Sequence, residues 1–356
     1  MAGGITGGLL RAGVVVPMPF DSIWLGHAVV AHAFLMMCSF MGTVIGIERA
    51  VAVKLRTAFV APAASGTAGV LMLLGWVQPA AWLAVLASTV FIAVNVLVWV
   101  RQRAPHTALL LAGADAWLIG NLLLALGARP AAIVPWWFCF LVFTIAAERL
   151  EMTRLMRRHR SAPALLYSVL GAMLVGAAAF SLSPQWGGWI FGLSLLGLAL
   201  WLVSFDIARK TIAAHGLSRY MAVCLLLGYA WLGVSGLAWA ATSAGFHGRD
   251  MALHALALGF IFSMMLGHAP VILPALARIK LLFGWPFYVS LAALHGSLVL
   301  RLFWGAVEAR AWSWGATGNA VAVLLFALTV VSSAIAWRFK YRNTLKRLPD
   351  EVAAQH

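Results

Sequence analysis

Charged residues are scarce in this chain, and acidic ones are the scarcest. Only 10% of the 356 residues are charged, with 10 acidic against 25 basic side chains, while 63% are hydrophobic. Soluble globular domains are roughly one quarter charged and one half apolar. This composition excludes an ordinary soluble protein and predicts a polytopic membrane protein whose main partner is the lipid bilayer.

Cysteines are also few, and they lie far apart. Cys38, Cys139 and Cys224 stand singly in apolar stretches, and the sequence has no Cys-x-x-Cys. This excludes a zinc knuckle and the covalent attachment of c-type haem. Residues 1–20 are glycine-rich and lack a small-residue cleavage site, so we expect the first apolar span to act as the insertion signal.

The net charge of +15 is of the kind seen in nucleic-acid-binding proteins, but its distribution excludes that class. The basic residues gather in every second loop, namely 48–56, 101–103, 154–158, 209–210, 278–280 and the tail 338–347. Loops rich in Lys and Arg remain on the cytoplasmic side of a membrane. We therefore predict an N-terminus outside and a cytoplasmic C-terminus.

The apolar stretches predict an all-α fold, a polytopic membrane helix bundle with about 11 transmembrane helices in one integral membrane domain, 1–356. The spans are 22–47, 61–78, 81–100, 107–127, 132–150, 163–182, 186–206, 218–243, 250–276, 283–305 and 316–338. Their lengths suit the ~20 residues that cross a bilayer. Gln78-Pro79 is either a tight external turn or a kink within one long helix.

Five histidines lie inside these spans: His27, His32, His254, His268 and His295. An imidazole in hydrocarbon is costly and persists mainly where it pairs, binds a metal or relays protons. Counted along the helices, His27 and His254 lie near the outer surface, and His32 and His295 lie near mid-membrane. His268 lies toward the cytoplasmic side.

A haem is the most economical explanation for this set. Two of His32, His254 and His295 are predicted to ligate one b-type haem axially in the outer half of the bilayer. Arg301 and Arg249 lie near the outer surface, where they would pair with the haem propionates. Arg301 could equally extend to the lipid headgroups. The alternatives are proton relay, substrate contact and hydrogen bonding between helices.

His27 is assigned a separate role. It precedes His32 by five residues, or about 140° around a helix, so the two cannot face one metal without distortion. We therefore prefer His32 as the ligand and predict that His27, or whichever histidine does not ligate the haem, holds a second metal such as copper or orients a ligand.

His268 and Asp115 suggest a proton pathway instead. His254 and His268 are fourteen residues apart, which places them within about 40° on one helix face and ~21 Å apart. Since no second helix has this histidine spacing, a second haem is not predicted. Asp115 is the one carboxylate expected deep in a span, at the depth of His268. The alternative function is a proton-coupled secondary transporter that uses these two residues.

The pairs Glu48-Arg49 and Glu148-Arg149 end the first and fifth spans, one hundred residues apart. They indicate either a duplicated bundle with ion pairs between helices or two basic helix ends that each include a Glu. The sequence leaves both interpretations open.

The segments HAFLMMCSFMGTVIGIERAVAV and LHALALGFIFSMMLGHAP resemble the NnrS-like proteins, polytopic bacterial membrane proteins associated with haem, copper and nitric oxide metabolism. The resemblance covers two of the eleven spans. It implies haem binding and a role in nitric oxide response or tolerance in the bacterial inner membrane. The haem hypothesis itself predicts either electron transfer with a redox partner or the binding of a diatomic gas. A haem- or metal-dependent oxidoreductase activity is left open. The adjacent His-His pair of the haem-copper oxidases is absent.

Overall fold

The structure, a computed structural model, describes residues 1–15, 22–153, 160–277 and 279–353, with residue 22 and residues 342–353 described by their backbone alone. The predicted basic loop 154–158 and Arg278 lie outside the described residues.

Across these residues every regular element is a helix, which confirms the all-α fold. The main helices are α1 Ala2–Arg11, α2 Ser22–Val30, α3 His32–Val53, α4 Val60–Leu73, α5 Val77–Arg101, α6 Pro105–Ala125, α7 Pro130–Met152, α8 Ala162–Ala179, α9 Pro184–Phe205, α10 Gly216–Ser243, α11 Arg249–Ala277, α12 Pro286–Ala306 and α13 Ala309–Ala353. Proline opens four of them, where its missing N–H costs nothing and its fixed φ suits a helix.

Within the described ranges, ten helices are long and apolar enough to cross a membrane: α3 and α5 to α13. The chain is therefore a multi-pass membrane protein. The predicted second span, 61–78, accounts for the difference from eleven. It is the 14-residue helix α4, about 21 Å long. That is shorter than the ~30 Å hydrocarbon core of a bilayer.

The chain reverses just before Gln78, not at it. Helix α4 ends at Leu73, and Gly75 takes a left-handed φ of 84° before α5 begins at Val77. A left-handed residue ends a helix at little cost when it is glycine. Gln78-Pro79 therefore lies in the first turn of α5, and the tight-turn interpretation holds with a shift of about three residues.

Helices that follow one another in sequence pack side by side, as short connections require. One end of the bundle carries the start of α11 and the end of α12, and we call it the His254 end. The opposite end carries the ends of α3, α7 and α9, and we call it the Arg149 end. Orientation in the membrane remains the prediction made from the basic loops.

Helix α1 was not predicted, and it packs against α2 and α3 through glycines. A Cβ on Gly7 would overlap the backbone carbonyl of Ala28, and a Cβ on Gly4 would lie 2.7 Å from the Met36 sulfur. The absence of side chains on this face lets α1 approach the bundle closely.

Two of the histidine-bearing helices contain π-helical segments. Leu35–Phe40 follows His32 in α3, and Ala255–Phe262 follows His254 in α11. π-Helical turns are rare and occur frequently at functional sites. Both segments alter the direction in which later side chains of the same helix point.

Candidate functional site

His32 and His254 lie together at the His254 end. Their ring centroids are 6.4 Å apart and the ring planes are inclined by 32°. His32 begins α3 and His254 lies in the second turn of α11. The two rings therefore share one level, although the sequence placed His32 nearer mid-membrane. The predicted span 22–47 is divided into α2 and α3, and the membrane-spanning helix begins only at His32, so counting from residue 22 placed His32 too deep.

One ring nitrogen of each histidine is held by an oxygen acceptor. His32 Nδ1 lies 2.6 Å from the carbonyl oxygen of Gly4. His254 Nδ1 lies 3.1 Å from the carbonyl of Asp250 and 2.9 Å from its Oδ1. Since these oxygens only accept, each Nδ1 donates, which leaves Nε2 with a lone pair. Histidines that ligate metals commonly have their second nitrogen fixed in this way.

Arg301 binds Asp250 through two parallel hydrogen bonds. Its Nε donates to Oδ2 at 3.0 Å and its Nη2 donates to Oδ1 at 2.8 Å. Trp312 Nε1 also donates to Oδ2, at 3.0 Å. The sequence predicted Arg301 as a propionate partner, but Asp250 neutralises its charge here. Asp250 and Trp312 are site residues that the sequence did not indicate as such. The one available signal was the four-residue spacing from Asp250 to His254.

The Arg301 guanidinium also lies over the His254 ring. Its Nη2 is 3.3 Å from Nδ1 and 3.2 Å from Nε2. An atom that close to both nitrogens cannot lie in the ring plane without overlapping the Cε1 atom between them. The contact is therefore made with the ring face, as in a cation–π pair. It leaves the in-plane lone pair of Nε2 available.

Two glycines make room for this site. A Cβ on Gly8 would lie 2.7 Å from His32 Cε1, and a Cβ on Gly315 would lie 2.5 Å from the Cα of Arg301. Gly8 thus brings α1 against the His32 ring. Gly315 brings α13 against the backbone of α12, which places Trp312 within reach of Asp250.

His295 belongs to a deeper layer and is bonded at both ring nitrogens. Trp231 Nε1 donates to its Nδ1 at 2.8 Å, and its Nε2 lies 3.1 Å from Ser263 Oγ. Ser263 follows His254 by nine residues and lies beyond the whole π-helical segment Ala255–Phe262, so it is deeper in the bundle. The predicted ligand His295 therefore does not join His32 and His254 in this structure, and its neutral ring links α10, α11 and α12.

His27 contacts the end of α4 rather than a metal-binding neighbour. Its Nδ1 lies 3.1 Å from the Leu73 carbonyl, which α4 leaves without an intrahelical donor, and its ring packs on Gly75. This is a helix-capping role. It accounts for a histidine in an apolar span without a second metal.

Arg249, the second predicted propionate partner, is exposed and faces elsewhere. It lines a cleft of about 490 Å³. Most of the other residues around this cleft come from α7, α9, α10 and α11, among them Pro130, Gln185, Trp239 and Leu253.

The proton pathway through Asp115 and His268 stays a prediction, and the structure gives the two residues different surroundings. His268 is buried, and its Nε2 lies 2.6 Å from Nη2 of Arg149. Asp115 is exposed on the outer surface of the bundle. The adjacent Ala114 and Ala116 are the residues of this turn that are buried against the neighbouring helices. The one-face prediction for His254 and His268 assumed ~100° per residue, whereas the π-helical segment Ala255–Phe262 between them turns by less per residue.

Across the described part of the chain, no three His, Cys, Asp or Glu side chains come together to hold a metal ion. A tetrahedral zinc site needs at least three protein ligands. A pair of imidazoles suffices where two opposite positions of one metal are filled. His32 and His254 supply two imidazole nitrogens, which is enough for a metal with two protein ligands but not for a tetrahedral zinc site.

The fold and this site define a multi-pass helical membrane protein with two histidine rings close together near one end of the bundle. A family model described as a domain of unknown function, DUF8744, matches residues 1–335, and the chain belongs to this family. No curated protein and no solved structure matches the chain.

Proposed function

We propose that the protein binds one b-type haem through His32 and His254 and uses it in electron transfer. The observation that carries this proposal is the paired geometry: two imidazoles from different helices, each with Nδ1 fixed and Nε2 available, at 6.4 Å between ring centroids.

The spacing suits a metal held between opposite ligands. Imidazole nitrogens about 2.0–2.1 Å from a metal on opposite sides place the ring centroids roughly 6.3 Å apart. Two imidazoles bound at a tetrahedral angle would have their ring centroids closer together than this. Haem iron takes two axial imidazoles in this manner, and its four remaining ligands come from the macrocycle. Copper(I) held linearly by the same two nitrogens is the alternative that the experiment must distinguish.

Two protein ligands favour electron transfer over gas binding. When bound, the haem supplies a one-electron iron couple whose potential depends on its axial ligands and their hydrogen bonds. Here Gly4 and Asp250 hold the two Nδ1 atoms and so fix the ring orientations. A diatomic gas such as nitric oxide would need one histidine to leave. This proposal is in keeping with the resemblance to NnrS-like proteins and with a bacterial inner membrane location.

The test is an optical spectrum of the detergent-purified protein, together with metal analysis. We expect a Soret band and, on reduction, a sharp α band. His32→Ala and His254→Ala should each abolish the bands. His27→Ala and His295→Ala are the matched controls, because both rings are bonded elsewhere, and their bands should remain.

The outcomes separate the alternatives. A preparation with neither haem nor copper would contradict any metal at this site. Copper that is lost in both His32→Ala and His254→Ala would contradict haem and support the linear copper site. Loss of the bands in His295→Ala with retention in His254→Ala would contradict the ligand pair proposed here.

A further inference from the structure

A second set of polar side chains lies deep in the bundle toward the Arg149 end. Arg149 on α7, Asp206 after α9, Tyr229 on α10 and His268 on α11 are 2%, 4%, 1% and 8% exposed. Charges buried among apolar helices are costly unless they are compensated. The four residues come from four different elements, so only the tertiary structure brings them together.

The existing bonds fix the charge of the cluster. His268 Nδ1 lies 2.6 Å from the Met264 carbonyl and therefore donates, so its Nε2 accepts from Arg149 and the ring is neutral. Asp206 Oδ1 accepts from the Ala208 amide at 2.8 Å. Asp206 supplies a counter-charge to Arg149, the adjacent Glu148 lies near both Arg149 and Arg49, and Tyr229 lies close enough to interact with Arg149 and Asp206.

Three buried polar atoms in this cluster have no hydrogen-bond partner among the described residues: Arg149 Nε, Asp206 Oδ2 and Tyr229 Oη. One is a donor, one is an acceptor and one can be either. Buried polar groups in native proteins are normally satisfied, by ordered water where protein partners are absent. A ligand that satisfies all three must both donate and accept.

We propose that Arg149, Asp206 and Tyr229 enclose an internal water site. The water accepts from Arg149 Nε, donates to Asp206 Oδ2 and contacts the Tyr229 hydroxyl. It joins His268, Arg149, Asp206 and Tyr229 into one hydrogen-bonded chain inside the membrane domain. Such chains let protons move between buried groups. Glu148, next to Arg149 and in electrostatic contact with Arg49 on α3, continues the polar chain toward the end of the bundle.

X-ray radiolytic footprinting of the full chain in detergent tests this site. Radicals formed from a bound water hydroxylate the side chains beside it, whatever their exposure to bulk solvent. We expect Tyr229 to be modified at least about tenfold faster than Phe140, since three unpartnered polar atoms belong to the first site and only Trp117 Nε1 belongs to the ring stacked on Phe140. Phe140 is the control because it is equally buried, at 0%, and packs between Trp117 and Phe91.

Two variants complete the test. The double variant Arg149→Met with Asp206→Leu removes both charged water ligands together and should slow modification of Tyr229 to the rate of Phe140. Tyr229→Phe retains those ligands, so the introduced ring should still be modified rapidly. If the double variant does not fold, the comparison of Tyr229 with Phe140 in the native protein remains as the test. A Tyr229 as unreactive as Phe140 would overturn the proposal.

Discussion

Arg301 and Asp250 form a bidentate ion pair across 51 residues of sequence, with N–O distances of 3.0 and 2.8 Å. The same carboxylate accepts from Trp312 and lies 2.9 Å from His254 Nδ1. One side chain thus joins α11, α12 and α13 and also orients a candidate ligand. The stability of the His254 end and the geometry of the histidine pair therefore depend on the same carboxylate.

Asp250→Asn should lower the stability and loosen His254. The amide cannot accept two charged hydrogen bonds, and Arg301, whose side chain is 9% exposed, would lose its counter-charge. Breaking a fully buried pair costs roughly 3–5 kcal/mol, and the part exposure of Asp250 reduces this to about 2 kcal/mol. Thermal unfolding in detergent measures the loss. Asp115→Asn, on the outer surface, is the control, and an equal loss there would contradict the assignment.

Gly8→Ala should displace the His32 ring, because the new methyl group would lie 2.7 Å from His32 Cε1. We expect the haem bands to shift or weaken, with a loss of about 1–3 kcal/mol from overpacking. Gly26→Ala is the matched control, since nothing lies within 4 Å of the position its Cβ would take. Unchanged spectra in both variants would show that α1 does not position His32.

Arg149 and His268 should be energetically coupled, whereas Asp115 and His268 should not. Residues in one hydrogen-bonded network show interaction energies of roughly 0.5–3 kcal/mol in double-mutant cycles, and distant residues add independently. The cycles would combine His268→Phe with Arg149→Met and, separately, with Asp115→Leu, read by thermal unfolding. Coupling confined to the Asp115 cycle would restore the proton pathway predicted from the sequence.

Trp231→Phe should weaken the bundle without altering the proposed haem site. The substitution removes the indole N–H that donates to His295 at 2.8 Å, and a lost hydrogen bond of this kind costs about 1 kcal/mol. The melting temperature should fall by a few degrees while the haem bands keep their position. A spectral change as large as that of His254→Ala would return His295 to the ligand set.

Orientation can be read by cysteine labelling in intact cells. The native cysteines are all buried and give little background. His247→Cys lies in the exposed turn before α11, and Gln102→Cys lies in a basic loop. Because basic loops remain inside, a membrane-impermeant maleimide should label the first variant in intact cells and the second only after permeabilisation. The reverse pattern would invert the predicted topology.

The interhelical interpretation of the two Glu-Arg pairs is partly supported. Glu148 is close enough to Arg49 for their charges to interact across helices, whereas Arg149 turns inward to His268. Equivalent positions in the sequence thus have different partners. The spacing of one hundred residues predicted a common location, and the packing of each helix decided which side chain points into the bundle.

The sequence by itself determined the class of the protein and nearly all of its spans, because hydrophobic length and short loops depend only on local composition. It also indicated His32 and His254, since a histidine in an apolar span stands out without knowledge of its neighbours. The predictions of depth and facing were less successful, and helix geometry is one of the reasons. Side-chain directions counted at ~100° per residue no longer apply beyond the π-helical segment Ala255–Phe262, which turns by less per residue.

Only the tertiary structure decided which polar groups meet. Asp250 lies at the start of one helix and Arg301 near the end of another, and no periodicity links them. The same holds for Trp231 with His295 and for Arg149 with His268, pairs that cross from one helix to the next. In a bundle where almost every surface is apolar, these few contacts depend on helix rotation and depth, which the order of residues along one span does not specify.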